Sequence, residues 1–262
     1  MSDFKIGIDY GGTKIEGILI DSNGKEILRK RSTYEKNYES GLNTVKSLVS
    51  EFDKFTDQQN SVGVCIPGFS SYETGLVNNA NCIWINDKPF HKDLEKSLNR
   101  EIRIMNDANC FALSEAIDGS GANYKSVWGV IIGSGFGGSF VYEKKVIEGV
   151  NQIAVDWGHQ PLPYPTAEEI NSNVQCNVGN CKRPLCAEQF ISGIGFTKLF
   201  NEKYGTSLRT REIVALEANG DERAKKEFEL YEDRFARLIS VMIGIVDPEV
   251  ICLLYTSDAA DE

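Results

Sequence analysis

The chain has 262 residues, 41% of them hydrophobic, and a formal charge of −10. That length can bury a sizeable core in one large domain or two modest ones, and the acidic balance excludes the basic footprint that a nucleic-acid backbone requires, which leaves small molecules and other protein chains as partners. With no apolar run long enough to span a membrane and no basic-then-apolar N-terminal signal, the chain reads as cytoplasmic, where its seven cysteines are core thiols or metal ligands rather than disulfides.

In chain order, strands are predicted at Phe4–Asp9, Ile15–Asp21 and Glu26–Ser32, where apolar and β-branched residues recur at strand spacing. An amphipathic helix follows from about Glu39 to Phe55, then a buried strand, VGVCI, ending at Pro67-Gly68. A short helix from His91 to Leu98, a strand IRIM and a helix ANCFALSEAI come next, and VWGVII, a glycine turn and SFVYE repeat the strand-turn-strand plan of the N-terminus. From Asn151 to Cys186 the chain is rich in Pro, Asn and Cys with little periodicity, and after Glu188 it is helical through Val246. The alternation is that of an α/β fold, and the two glycine hairpins suggest a duplicated design. No Gly/Ser linker separates the halves, so the boundary is placed near Ile117.

The glycine turns do not fit two familiar motifs. GIDYGGTK has Thr before Lys and leads into a strand, whereas a P-loop ends in Gly-Lys-Ser/Thr and opens a helix. GSGFGG satisfies G-x-G-x-x-G, but SFVYEKKV after it alternates like a strand, against a dinucleotide site. Each turn could be a plain hairpin. Successive backbone N–H groups in such turns can also form a concave nest for phosphate, and the second turn carries Ser134 while the first carries Asp9, Thr13 and Lys14.

DYGGTK, NDANCFALSEA, GSGFGGSF, DWGH and the Cys cluster before EQFISG stand in the order and approximate spacing of the bacterial ROK sugar kinases. The chain resembles that family from Lys5 to Ile251. The resemblance implies an α/β, two-lobed actin/hexokinase-like ATPase (ribonuclease H-like) fold, with residues 1–117 as the first lobe and 118–251 as an incomplete second one. It implies ATP and Mg²⁺ held by Asp9, Gly11, Gly12, Thr13 and Lys14 of the first hairpin and by Gly133, Ser134 and Gly135 of the second. Asp107 is implied as the base that takes the proton from the sugar hydroxyl, and Gly68, Asn81, Asn106, Asp156, His159 and Glu188 as sugar-binding residues. By pattern alone Asp107 reads as an N-cap, and His91 as solvated surface.

The family also implies a structural zinc held by His159 and three cysteines, here Cys176, Cys181 and Cys186. Their even spacing departs from the pattern, Val178 stands where a cysteine is usual, Asp156 replaces a glutamate and Val155 a glycine. Three unmetallated thiols are the alternative reading. The segments NNANCIWIND, KPFHKDL and DWGHQPLPYP look most like the fructokinase/mannokinase branch, so the expected activity is ATP-dependent phosphorylation of a hexose 6-hydroxyl, fructose first, with N-acetylglucosamine, N-acetylmannosamine or glucose as alternatives. The resemblance carries the expectation of a homodimer. A sugar-sensing regulator would carry a helix-turn-helix before the first hairpin, and only eight residues precede Asp9; a non-catalytic sugar-binding protein is the remaining alternative. The final residues, 252–262 (CLLYTSDAADE), back-translate to a string that looks like the adapter of transposase-based DNA library preparation. They are expected to be foreign to the gene and to form no strand, leaving the second lobe truncated.

Overall fold

A computed structural model of the chain describes residues 4–155, 157–177 and 181–255. It divides into two compact units, Met1–Cys110 with Gly149–Ile153, and Phe111–Glu148 with Ala154–Glu262. The division falls after Cys110, inside the helix whose end at Ile117 was the expected boundary.

In the first unit β1 (Phe4–Tyr10), β2 (Lys14–Asp21) and β3 (Glu26–Thr33) form an antiparallel meander. α1 (Tyr38–Thr56) then leads to β4 (Ser61–Ile66), which joins β1 in parallel register. A two-strand hairpin, β5 (Phe69–Ser70) with β6 (Val77–Asn78), precedes α2 (Phe90–Leu98) and β7 (Arg103–Asn106), giving the sheet order β3-β2-β1-β4-β7. Strand alternation decides which face is buried: Ile6, Ile8 and Tyr10 of β1 and Val62, Val64 and Ile66 of β4 enter one core, so Asp9 and Cys65 face the other way. α1 starts at Asn37, whose side chain accepts from Ser40 N at 2.8 Å, and lays Val45, Leu48, Val49 and Phe52 on that core. The helix lies close to the sheet because two neighbours are glycines. A Cβ on Gly41 would stand 2.0 Å from the Tyr10 hydroxyl, and one on Gly17 would stand 2.7 Å from the Phe52 ring. Truncating Phe52, which is fully buried, to Ala would cost about 4 kcal/mol.

α3 (Asp107–Ile117) carries the chain into the second unit. There β8 (Ser126–Ile132), β9 (Phe136–Tyr142) and β10 (Lys145–Val146) form an antiparallel set. The loop after them holds α4 (Ala167–Asn171), and α5 (Ala187–Ile191), α6 (Gly193–Tyr204), α7 (Thr210–Ala218) and α8 (Glu222–Val246) supply the expected helical region. One face of β8 takes Ala112 and Ala116 of α3 against Gly129, where a Cβ would meet Ala112 Cβ at 2.7 Å; the other face buries Trp128 and Val130 with Leu238 of α8.

Two features of this unit differ from the sequence expectation. α4 lies in the stretch read as aperiodic, and its signal is the T-x-x-E capping box: Glu169 N donates to Thr166 Oγ1 at 3.2 Å and Thr166 N to Glu169 Oε2 at 2.8 Å. Glu169, 6% exposed, also receives Arg234 at 2.9 Å and Arg237 at 2.8 Å from α8, which latches the loop to the long helix. The tail expected to form no strand supplies most of β11 (Val250–Tyr255), paired in parallel with β8 from Val250↔Val127 to Tyr255↔Ile132. The run VICLLY has the apolar, β-branched and aromatic residues a strand requires; residues 256–262 lie outside the described ones. The second sheet is thus ordered β10-β9-β8-β11, and in both sheets a glycine hairpin gives its first strand a parallel neighbour on the far side. Among the described residues no helix is long and apolar enough to cross a membrane.

Candidate functional site

The first glycine turn joins β1 to β2 without a helix, as the sequence predicted. Gly11 N donates to Lys14 O at 3.1 Å to close it, and a Cβ on Gly11 would stand 2.9 Å from that same oxygen. Tyr34 donates its hydroxyl to Gly11 O at 2.8 Å, fixing the turn from β3's end of the unit. Its ring stacks at 5.5 Å from Tyr10, whose oxygen accepts from Trp84 Nε1 at 3.1 Å. The turn therefore rests on an aromatic platform. Asp9, Gly11, Gly12, Thr13 and Lys14 are all partly or fully open to solvent at its crest.

Asp107 opens α3 beside this turn, but it is not the cap. Asn106 caps the helix: its Oδ1 accepts from Ala108 N at 2.9 Å and Asn109 N at 3.3 Å, while its Nδ2 donates to Gly68 O at 2.8 Å. Asp107 Oδ1 accepts from its neighbour Ala108 N at 2.8 Å, and the Asn106 side chain also bonds the carboxyl. Loss of surrounding water raises the Asp107 carboxyl to about 6, and the Ala108 bond opposes that rise while the charge of Asp9 adds to it. Its surface is nevertheless open, so the group is recessed and reachable. The Asn106 bond also pins the Gly68 turn, where φ is +75° and a Cβ would collide with Asn78 O at 2.4 Å. Asn81 is exposed on the following segment, which Asn86 holds by bonding Ala80 N and Ala80 O, each at 2.9 Å. The fold thus brings Asp9, Gly68, Asn106 and Asp107 together within the first unit.

In the second unit Gly133, Ser134 and Gly135 form the turn between β8 and β9. Gly133 N donates to Gly135 O at 2.9 Å, and Gly193 N at the start of α6 donates to Gly133 O at 2.8 Å. Glu188, 4% exposed, accepts from Phe136 N at 3.0 Å immediately after the turn, and its own N donates to Gly158 O at 2.7 Å. Gly158 must be glycine, since a Cβ would fall 1.9 Å from Phe136 O. The carboxylate expected on the sugar is therefore anchored to the backbone of the second hairpin.

The ligand atoms of His159, Cys176, Cys181 and Cys186 all lie within 4.8 Å of one another. His159 Nδ1 is 3.4 Å from Cys186 Sγ, and Cys181 Sγ is 3.9 Å from it. Zn–S and Zn–N bonds of about 2.3 and 2.0 Å at tetrahedral angles separate ligand atoms by close to those distances, so the donor set fits zinc. Two isolated β-bridges, Pro161↔Cys186 and Gln175↔Pro184, fold the loop back on itself and bring the evenly spaced cysteines together. Val155 holds φ at +64°, a left-handed conformation that suits the glycine it replaces in the pattern. Asp156 and Val178 lie outside the described residues.

Three residues near the candidate site escaped the sequence reading. Cys65 lies opposite Asp9 in the β1–β4 register with Sγ 3.2 Å from Asp9 Oδ1, a placement that strand alternation could have revealed once the parallel pairing was known. A hydrogen bond with Cys110, then burial and the Asp9 charge, hold its thiol well above the usual range. Tyr34 and Asn86 had no local motif to mark them. His91, expected on the solvated surface, is half-buried and donates Nε2–H to Ile102 O at 3.1 Å, tying α2 to the approach to β7.

A family model described as "ROK family" matches residues 5–254. An N-acetyl-D-glucosamine kinase of Pasteurella multocida (strain Pm70) is 37% identical over 254 residues, covering 95% of this chain and 83% of that protein. Another, of Citrobacter koseri, is 38% identical over 248 residues, covering 94% and 82%. The structure of a ROK hexokinase from Thermus thermophilus matches with a TM-score of 0.83 at 21% identity, over 97% of this chain and 82% of that one. That likeness gives the actin/hexokinase-like fold.

Proposed function

We propose, from the premise that this chain belongs to the ROK family and is a sugar kinase, that it transfers the γ-phosphoryl group of ATP to the 6-hydroxyl of N-acetyl-D-glucosamine. The substrate order read from the motifs, fructose before N-acetylhexosamine, is reversed here, because N-acetyl-D-glucosamine kinases share 37% and 38% identity with nearly the whole chain. The observation that carries the chemistry is the Asp107 carboxyl, freed from capping by Asn106 and raised to about 6. Such a carboxylate is ionised at neutral pH yet basic enough to accept a hydroxyl proton as the oxygen attacks phosphorus.

Asp107 takes that proton, and the 2.8 Å hydrogen bond that Asn106 Nδ2 donates to Gly68 O fixes the residue beside it. Backbone N–H groups of the first turn, with Thr13 and Lys14, receive phosphate oxygens. Asp9 would hold Mg²⁺, which would supply charge neutralisation at the phosphates. Gly133, Ser134 and Gly135 serve phosphate in the second unit, and Asn81, Asp156, His159 and Glu188 serve the sugar. A zinc ion on His159, Cys176, Cys181 and Cys186 would fix the loop that ends at Glu188. Coupled ADP release across N-acetylglucosamine, N-acetylmannosamine, glucose and fructose tests the reading. The highest kcat/KM is expected with N-acetylglucosamine; a preference for fructose would overturn the substrate, and sugar binding without ADP release would select a non-catalytic regulator.

A further inference from the structure

Resting on the kinase reading above, we infer that Cys65 is a positioning residue: its S–H orients the Asp9 carboxylate for Mg²⁺–ATP. Asp9 and Cys65 are directly paired across parallel β1 and β4, and alternation turns both away from the core filled by Ile8 and Val64. The carboxylate can only accept, so the thiol is the donor across the 3.2 Å between Cys65 Sγ and Asp9 Oδ1. That separation is well within reach for sulfur, and the charge on the acceptor strengthens an otherwise weak donor.

The contact is one link of a longer chain. Cys110 bonds to Cys65 from α3, and it stands three residues after Asp107, on the same side of the helix. The groups Cys110, Cys65 and Asp9 thus tie the helix bearing the base to the strand bearing the phosphate-turn carboxylate. Without it, Asp9 at the exposed end of β1 has rotamers to explore, and ordering it would fall on the nucleotide. A strand residue with an apolar side chain would satisfy the packing but leave Asp9 Oδ1 without this donor.

The test is calorimetric titration of Mg²⁺–ATP into wild type, Cys65→Val and Cys65→Ser, with thermal melts and steady-state kinetics on the same preparations. Valine nearly matches the thiol in volume, excludes a replacing water and donates nothing, so it should weaken Mg²⁺–ATP binding about five- to tenfold. Serine restores a donor and should bind within about twofold of wild type. Both variants should melt close to wild type, and the loss in valine should appear in KM for Mg²⁺–ATP rather than in kcat or sugar affinity. If valine fails to fold, Cys65→Ala carries the same comparison. Equal Mg²⁺–ATP affinity in wild type and the apolar variant overturns the inference alone, as does serine binding as weakly as valine. A wild type that neither binds Mg²⁺–ATP nor releases ADP overturns the kinase reading and the inference together.

Discussion

The two glycine hairpins occupy equivalent places in their sheets and are held by different forces. The first rests on aromatic side chains: Tyr34 bonds Gly11 O, and the Tyr10–Phe90 and Tyr34–Trp84 ring pairs, 5.0 and 6.0 Å between centroids, sit beneath it. The second rests on polar and metal-competent groups: buried Glu188 bonds Phe136 N, and Gly158 links it to a loop with a His and three Cys converging and a carboxylate locked between two arginines. The difference separates what each turn tolerates. An apolar platform is indifferent to pH and chelators, whereas buried charges and thiolate ligands depend on both.

The largest expected effect falls on catalysis in the first unit. Asp107→Asn should lower kcat by about 10²–10⁴-fold, because the amide keeps the shape and cannot accept a proton. Its melting temperature should not fall. A folded-state value near 6, above the ordinary carboxylate, means that stability from this group is present at low pH and lost as pH rises through about 6. Removing the charge at neutral pH therefore does no harm to the fold, whereas loss of a true N-cap would. A lower melting temperature with activity retained would restore the capping role.

The next effect belongs to the second unit. If the proposed zinc is bound, Cys176→Ser, or treatment with a strong chelator, should open the loop that carries His159 and Cys186 to protease and destabilise its unit by roughly 4 kcal/mol. Protease patterns from the first unit should be unchanged, and equal loss in both units would erase the contrast between the hairpins.

Smaller again is the latch. Glu169→Gln should cost about 3 kcal/mol by leaving Arg234 and Arg237 partly unpaired. Burial raises the Glu169 carboxyl, but Arg237 and Arg234 outweigh it and hold it at about 2. With the folded value depressed, its contribution is complete above the ordinary value near 4.5 and disappears as pH falls towards about 2. Acid melts should show the wild type losing its advantage over the glutamine variant across that window. The smallest effect is Val155→Gly, which should relieve the left-handed strain and change stability by about 1 kcal/mol or less, since a glycine gains freedom in the unfolded chain.

The first unit was more legible in the sequence than the second for the same physical reason. Ile6, Ile8 and Tyr10 alternate and Val45, Val49 and Phe52 recur at helical spacing, so its elements announce themselves. In the second, Pro161, Gln175 and Cys186 are placed by isolated bridges and α4 by a capping box, signals that periodicity does not register. The two turns were readable because Gly marks backbone geometry locally, whereas Asp107 stood out through the family resemblance and not through its own surroundings. Asn106 as cap, Cys65 beside Asp9 and Glu188 on Phe136 N required the strand register and the crossing of distant segments. The tail strand is legible in the apolar run Val250–Leu254, which continues across Cys252 and pairs with β8.

The measurement that reaches the central claim most directly is the pH dependence of kcat/KM with N-acetyl-D-glucosamine at saturating Mg²⁺–ATP. With Asp107 as the base, the rate should rise about tenfold per pH unit in acid, bend near pH 6 and level above it, and the residual activity of Asp107→Asn should lack that bend. A wild-type profile that is flat through pH 6, or the same bend in the asparagine variant, would contradict the assignment.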